Sequence, residues 1–554
     1  MTIRRFLILL VVFQTQLLFA QETTKEVPPL IPYWAFGHWI WEDERNTRDA
    51  VELLVEGYKK NDIQVDAIII DSPWMTMFND FIWNETQYPK PQEMIDRLHQ
   101  KGIKVLPWYT GCLNSSAYKS TAGKCKTYDF AVGNNFCINN NKESVWMSKG
   151  PGVHVDFTND AAKKWWHTQV DALHSMHLDG AKIDFGFVWF GDSVKTSKGK
   201  LSQREFAFQY YSEAFDYNVS QNPEFVAMTY AWSGLGLMGF PSKSHVNWVG
   251  DFSGDWKGIK DQLKNIYRSA NYGFSGIGCE IGGYWGIPSN KEQFIRYAQL
   301  GSLCPIMING GALGAFKHHL PWNYDAETID IYRKSVKLHN ELSYYLFSSG
   351  VDAHLSGGTI IKNASIENSS HFLGDQLYVK VIVDSIPVQK FQVPESGYWI
   401  DYYNDDQIYK PGEIIERKYA LDQYPIFIKA GSIIPIKTPN KKIIQEGDFA
   451  ASDLTILVYT QGKESYLFHQ PLGNGTEYKD VRIAIDEEKG LIQVKSEIKQ
   501  KFVFKVKCFA QPNDVVNADK WEYDNATKIL TIEKYSADFE LFARNLKGYK
   551  PGFR

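Results

Sequence analysis

Gly180-Ala-Lys-Ile-Asp-Phe-Gly186 is the stretch on which the fold turns. It reads as a short strand, 180–185, that closes on a carboxylate and lies between two helical stretches, 161–176 and 203–217. The same alternation continues in both directions. Upstream, Asp66-Ala-Ile-Ile-Ile-Asp71 is an apolar run with acidic ends, and Ile103-Lys-Val-Leu-Pro-Trp108 is the next strand. Between them residues 92–101 are helical, with Met94, Ile95 and Leu98 on one face and Gly102 as the stop. A further strand is expected at 154–157. Downstream, a strand at 224–230 precedes helices at 256–269 and 291–301. Strands separated by helices imply right-handed crossovers and a parallel sheet. About 310 residues in this style predict an α/β fold closed as a (β/α)8 TIM-type barrel. In such a barrel the active site lies where strands end and βα loops begin.

Near residue 346 the helical periodicity stops. Short alternating runs follow, such as Gln376-Leu-Tyr-Val-Lys-Val-Ile-Val383 and Ile426-Phe-Ile-Lys429, with Gly, Pro and Asn between them. That texture predicts two antiparallel β-sandwich domains, divided near 440 at Thr438-Pro-Asn-Lys-Lys. The expected organisation is a signal peptide at 1–20, a barrel at 21–345, a proximal β-domain at 346–440 and a distal one at 441–554.

The N-terminus carries an address. Arg4 and Arg5 precede the apolar run Phe6 to Phe19, and Ala20 closes it before Gln21-Glu22-Thr23-Thr24. A charged start, a short apolar core and a small final residue predict a cleaved secretory signal, hence a secreted or periplasmic protein with no membrane span in the mature chain. A run of fourteen residues falls short of the about 20 that a spanning helix needs. Across 554 residues, 60 Lys and Arg face 64 Asp and Glu, a net charge of −4. So balanced a surface has no electrostatic reason to prefer nucleic acid. Six cysteines, at 112, 125, 137, 279, 304 and 508, contain no C-x-x-C pair, which argues against structural zinc. Export permits one pair among Cys112, Cys125 and Cys137, yet a core of this size favours buried thiols.

Chemistry concentrates in carboxylates at strand ends. Asp71 closes one strand and Asp184 another; Asp251 follows His245-Val-Asn-Trp-Val-Gly250, and Glu280 lies in Gly276-Ile-Gly-Cys-Glu-Ile-Gly-Gly283. Each is flanked by apolar residues that need burial, which draws the carboxyl into a pocket. Lys182, two residues before Asp184, shares its face of the strand, and a nearby ammonium keeps Asp184 ionised. An ionised carboxylate facing a second one of raised pKa is the apparatus of glycoside cleavage. Dispersed acids without a loop-ligand spacing argue against a cation site. Gly234-Leu-Gly-Leu-Met-Gly239 fits a dinucleotide fingerprint in letters only, because Pro241 and a polar loop follow where a helix should start. His318-His319 reads as a polar loop or sugar contact rather than a metal pair.

At these residues the chain resembles glycoside hydrolase family 31, the retaining α-glycosidases. The resemblance is an ordered series over roughly 32–480. Pro32-Tyr-Trp-Ala-Phe-Gly37 resembles the opening segment, and Asp62-Ile-Gln-Val-Asp66 through Asp71-Ser-Pro-Trp74 the first strand. Phe81-Ile-Trp-Asn84 and Asp156-Phe-Thr-Asn159 resemble later blocks. Lys182-Ile-Asp184-Phe-Gly186 falls on the nucleophile motif in its α-xylosidase-like form, and Trp248-Val-Gly-Asp251, with Trp256 beyond it, on the acid/base motif. Glu280-Ile-Gly-Gly283 resembles a D-I-G-G block; Arg296-Tyr-Ala-Gln299 precedes Pro305; and Tyr424 to Pro435 resembles the proximal β-domain.

The resemblance implies a carbohydrate substrate, no cofactor and no metal. It implies Asp184 as nucleophile and Asp251 as acid/base, with carboxyls about 5–5.5 Å apart for retention. Asp71 and Glu280 are expected to hold sugar hydroxyls, Lys182 to position charge, Trp108, Trp248 and Trp256 to wall the pocket, and His319 to touch sugar. The chain also departs from the family pattern. No β-sandwich precedes the barrel, Phe187 stands where an acid is common, and Glu280 stands where Asp is usual. The Arg and His expected after Pro305 are missing from Ile306-Met-Ile-Asn-Gly-Gly311, as is the Arg expected around Tyr230-Ala-Trp232. The expected activity is hydrolysis of terminal α-xylosides, α-galactosides or α-glucosides. The alternatives are glycosyl transfer through the same intermediate and a non-catalytic sugar-binding barrel.

Overall fold

The computed structural model describes residues 26–43, 45–116, 123–145, 150–184, 193–230, 232–233, 236–310, 319–438 and 453–549. Eight parallel strands close into a barrel: β1 His38–Glu42, β2 Ala67–Ile70, β3 Lys104–Tyr109, β4 Gly180–Ile183, β5 Val226–Thr229, β6 Val246–Trp248, β7 Ile277–Ile281 and β8 Ile306–Asn309. Spatial order follows chain order, and β8 pairs with β1 to shut the ring. These strands are apolar runs buried on both faces, as a helix-covered parallel sheet requires. The closed barrel followed by mostly antiparallel sheets is the fold class expected from the sequence.

The helices are set by their caps. Ser202 and Glu205 form a capping box on Gln203–Gln221, and Asn290 and Gln293 form another on Lys291–Ser302. Asp255 accepts from Gly258 N to start Trp256–Tyr272, which Gly273 stops in the left-handed conformation. Register then aligns the strand ends: Trp108 lies opposite Lys182, Ile70 opposite Pro107, and Trp248 opposite Gly278. Residues at or just past these pairs therefore share one rim, the C-terminal mouth.

Two expectations need correction. The strand expected at 154–157 is Pro151–His154 and lies outside the barrel, in a small antiparallel sheet with Cys112–Asn114 and Ser144–Val145. Gly152 permits this, since a Cβ there would meet Leu113 O at 2.4 Å. Helical structure also continues past residue 346. Ala326–Glu341 is followed by Ser343–Ser356, and the first sandwich strand is Ile361–Ser365. Residues 343–351 are buried on every side, so that helix has no polar face to mark it.

The proximal sheet has six strands, and the distal unit two sheets of five. Ile433–Thr438 belongs to the distal unit, where it pairs with Asp453–Tyr459; that strand in turn makes one parallel pair, with Gln500–Lys507. The expected division near 440 falls outside the described residues, as does the N-terminal segment 1–25. Arg296, buried on the helix after β7, stitches barrel to sandwich: its guanidinium donates to Gln423 O at 2.7 Å and to Tyr419 O at 3.2 Å. All six cysteines are free and buried. Among the described residues no helix is long and apolar enough to cross a membrane.

Candidate active site

The site grows from the ends of β2, β3, β4, β6 and β7. Asp71, just past β2, is fixed from three sides. Its backbone N–H donates to Glu42 O at 3.1 Å, its Oδ1 accepts from Ser72 N at 2.7 Å, and its Oδ2 accepts from Lys182 Nζ at 2.8 Å. Both side chains of that ion pair are buried. On the neighbouring strand, Trp108 Nε1 donates to Asp184 Oδ2 at 3.0 Å. The Asp184 backbone is held as well, with N–H on Tyr109 O at 3.0 Å and C=O accepting from Tyr210 Oη at 3.0 Å. Trp248 Nε1 donates to Glu280 Oε1 at 2.6 Å. Glu280 is fully buried, and its Oε2 has no hydrogen-bond partner among the described residues.

Lys182 sits at the centre. Its Nζ lies 3.2 Å from the ring centroid of Trp41 and 4.1 Å from that of Trp248, between two aromatic faces that stabilise a cation. Burial opposes its charge, but Asp71, Asp184, Asp251 and Glu280 all act on it and raise its pKa above the ordinary value, so the ammonium persists. Glu280 goes the other way. Burial and then the charge of Asp251 push its carboxyl well above the ordinary range, against the opposing pull of Lys182 and the Trp248 hydrogen bond. One ammonium thus faces four carboxyls, and the carboxyl driven toward its neutral form is Glu280.

The predicted residues Asp71, Trp108, Lys182, Asp184, Trp248, Asp251 and Glu280 meet in one electrostatic cluster. Trp256 does not join it: partly buried at the head of its helix, it packs on the core, with no hydrogen bond or ring contact to the cluster among the described residues. His319 is buried beside the turn after β7, its Cα 3.0 Å from where a Gly282 Cβ would stand, and its carbonyl accepts from Asn309 Nδ2 at 2.9 Å. His318 and Phe187 lie outside the described residues.

Sequence reading missed three aromatic residues. Trp41, on β1, stacks on Tyr284 at 5.1 Å and 6° and closes over Lys182. Tyr284 Oη donates to Asp43 Oδ2 at 2.5 Å, fixing that wall. Tyr230 packs on Trp248 at 4.5 Å, in space left by Gly250, whose φ of +110° and missing Cβ let the Tyr230 hydroxyl come close. Nothing local in His38-Trp-Ile-Trp-Glu42 says which Trp faces a cation. No three His, Cys, Asp or Glu side chains gather as a metal-binding set among the described residues.

Comparison with known proteins agrees with this geometry. The Glycosyl hydrolases family 31 TIM-barrel domain matches residues 28–349, and the family 31 C-terminal domain matches 352–434. An alpha-xylosidase of Saccharolobus solfataricus is 23% identical over 76% of this chain and 58% of its own length. An isomaltosyltransferase of Sporosarcina globispora is 22% identical over 81% of this chain and 45% of its own. Among solved structures, the cycloalternan-forming enzyme from Listeria monocytogenes, in complex with a pentasaccharide substrate, superposes with a TM-score of 0.83 at 22% identity. It covers 94% of this chain and 55% of that one. A Flavobacterium johnsoniae GH31 dextranase complexed with glucose gives 0.82 at 19%, covering 93% and 71%. The chain spans little more than half the length of the first of these relatives. With its barrel and the following domain both matched in order, the chain belongs to glycosyl hydrolase family 31.

Proposed function

We propose that this protein is an exported retaining α-glycosidase that removes terminal α-linked sugars by double displacement. The observation that carries the reading is the buried set of carboxyls at the strand ends around Lys182: Asp71 paired to its ammonium at 2.8 Å, Asp184 gripped by the Trp108 indole and Glu280 by that of Trp248. Asp184 attacks the anomeric carbon as the bond to the leaving oxygen breaks, and Asp251 gives that oxygen its proton. Asp251 then takes a proton from the incoming water, whose oxygen displaces Asp184. Lys182 positions charge: it compensates the crowded acids and keeps the nucleophile ionised. Asp71 and Glu280 hold sugar hydroxyls, and Trp108 and Trp248 line the pocket while orienting Asp184 and Glu280 respectively. The charged start, apolar run and small closing residue at 4–20 support export.

A second reading keeps the intermediate and changes the acceptor. Similarity to an isomaltosyltransferase over 81% of the chain favours a sugar hydroxyl in place of water. Both readings are tested by incubating residues 21–554, beside Asp184→Ala, with aryl α-xylosides, α-glucosides and α-galactosides. The expected result is release from one α-sugar, lost by about 10⁴-fold or more in the variant. Longer oligosaccharides among the products mark transfer, and free sugar alone marks hydrolysis. Silence from a folded wild type across the panel favours the sugar-binding barrel.

A further inference from the structure

The mouth of the site carries one aromatic residue that the reaction above does not use. Trp285 is 54% exposed, the only tryptophan so exposed among the described residues. It is nevertheless held in place. Its Nε1 donates to the backbone carbonyl of Asp251 at 3.1 Å, and its own N–H to Phe252 O at 3.2 Å. The loop after β7 is laced to the loop after β6 around it: Tyr284 N meets Phe252 O at 2.8 Å, Gly254 N meets Ile287 O at 2.7 Å, and Ser289 Oγ meets Gly254 O at 2.6 Å. Glycine makes this lacing possible. A Cβ on Gly283 would lie 2.6 Å from Gly254 N, and one on Gly254 2.5 Å from Ser289 N.

A large apolar ring kept in solvent, on a rigid loop and tied to the backbone of the proton donor, has a specific geometric consequence. Asp251 must face the leaving oxygen, so whatever that oxygen belongs to passes beside Trp285. The apolar face of a pyranose ring suits an indole face. Ile287, 62% exposed and two residues on, extends the apolar surface outward. We propose that Trp285 is the stacking platform for the sugar on the leaving-group side of the cleaved bond. The substrate class is then an oligosaccharide or glycan whose leaving group is itself a pyranose, not a small alcohol. This inference rests on the glycosidase reading above.

The test compares substrates that share the transferred sugar and differ in the leaving group. α-Xylosyl, α-glucosyl and α-galactosyl fluorides release only fluoride, whereas isoprimeverose, isomaltose and melibiose release glucose. In Trp285→Ala the ratio of disaccharide to fluoride kcat/KM falls about tenfold or more, chiefly through KM. Trp285→Phe, which keeps a ring, recovers most of it. An unchanged ratio overturns the proposal, and so does a fall confined to kcat with equal disaccharide binding to Asp184→Ala with and without the indole. Fluoride leaves without the Asp251 proton, so a Trp285 that merely props Asp251 slows the disaccharides alone but leaves their binding intact. If the wild type cleaves none of the six, the hydrolase reading fails separately, and the three disaccharides are titrated into Asp184→Ala with and without Trp285→Ala. Binding about tenfold weaker without the indole supports the platform; equal binding, or none, overturns it.

Discussion

The two ends of strand β4 differ in a way that separates structure from function. At the N-terminal end, one carboxylate, Asp179, meets three donors: His99 Nε2 at 2.8 Å, Lys104 Nζ at 2.7 Å and Val105 N at 2.9 Å. Burial works to raise its pKa, but the His99 hydrogen bond and the Lys104 charge hold it below the ordinary value. Both carboxylate oxygens there are engaged within the fold. At the C-terminal end, a few residues away, four carboxyls share one ammonium, and a buried Glu280 oxygen is without a partner among the described residues. A balanced cluster stabilises; an acid-rich one keeps a cost that folding alone does not justify. Barrels put stability at the bottom and chemistry at the top, and here one strand carries both.

The contrast can be broken most forcefully at Lys182. Lys182→Met leaves four carboxyls without their cation, so unfolding free energy should fall by about 3–5 kcal/mol and kcat should collapse with it. Denaturant unfolding at several pH values checks this, and the deficit should shrink toward acid pH as the carboxyls protonate. A variant as stable as the wild type would deny Lys182 its central place. Asp179→Ala should lose about 2–3 kcal/mol of stability, since it strands three donors, while kcat of the folded enzyme stays as it was. A large fall in kcat at constant KM would erase the distinction between the two ends.

The most gradual effect, read per pH unit, sharpens the comparison through pH. Glu280 has a folded pKa well above its ordinary 4.5, so the unfolded chain loses this proton first. Stability attributable to Glu280 therefore falls as pH rises from about 4.5 toward its folded value, by up to about 1.4 kcal/mol per pH unit. Glu280→Gln removes that slope and can still accept from Trp248, so it should gain on the wild type as pH rises from 5 to 8. Parallel stability curves for the two proteins would show that Glu280 ionises as freely as a surface acid.

Much of this molecule was legible in its sequence, because barrel strands advertise themselves as short apolar runs closed by acids. Asp71, Asp184, Asp251 and Glu280 were visible on that ground alone, and Lys182 by its two-residue offset. The strand expected at 154–157 shows the limit: a strand forms at Pro151–His154 instead, and the close approach of Gly152 to Leu113 lets it pair in a side sheet, which no local pattern announces. The helix Ser343–Ser356 was hidden because burial on all sides erases amphipathic period. Trp41 and Tyr284 were hidden for a different reason. Their stacking joins β1 to the loop after β7, more than two hundred residues apart, and no local pattern encodes it.

The central claim is that Asp184 forms a covalent bond to sugar, and the most direct measurement traps that bond. A 5-fluoro-α-glycosyl fluoride of the preferred sugar slows breakdown of the intermediate more than its formation, so the labelled enzyme can be digested and its peptides weighed. The account predicts one label per chain, on the peptide carrying Asp184, absent from Asp184→Ala and released by an acceptor. A label on Asp71 or Glu280, or turnover of the cleaved substrate with no label at all, would contradict it.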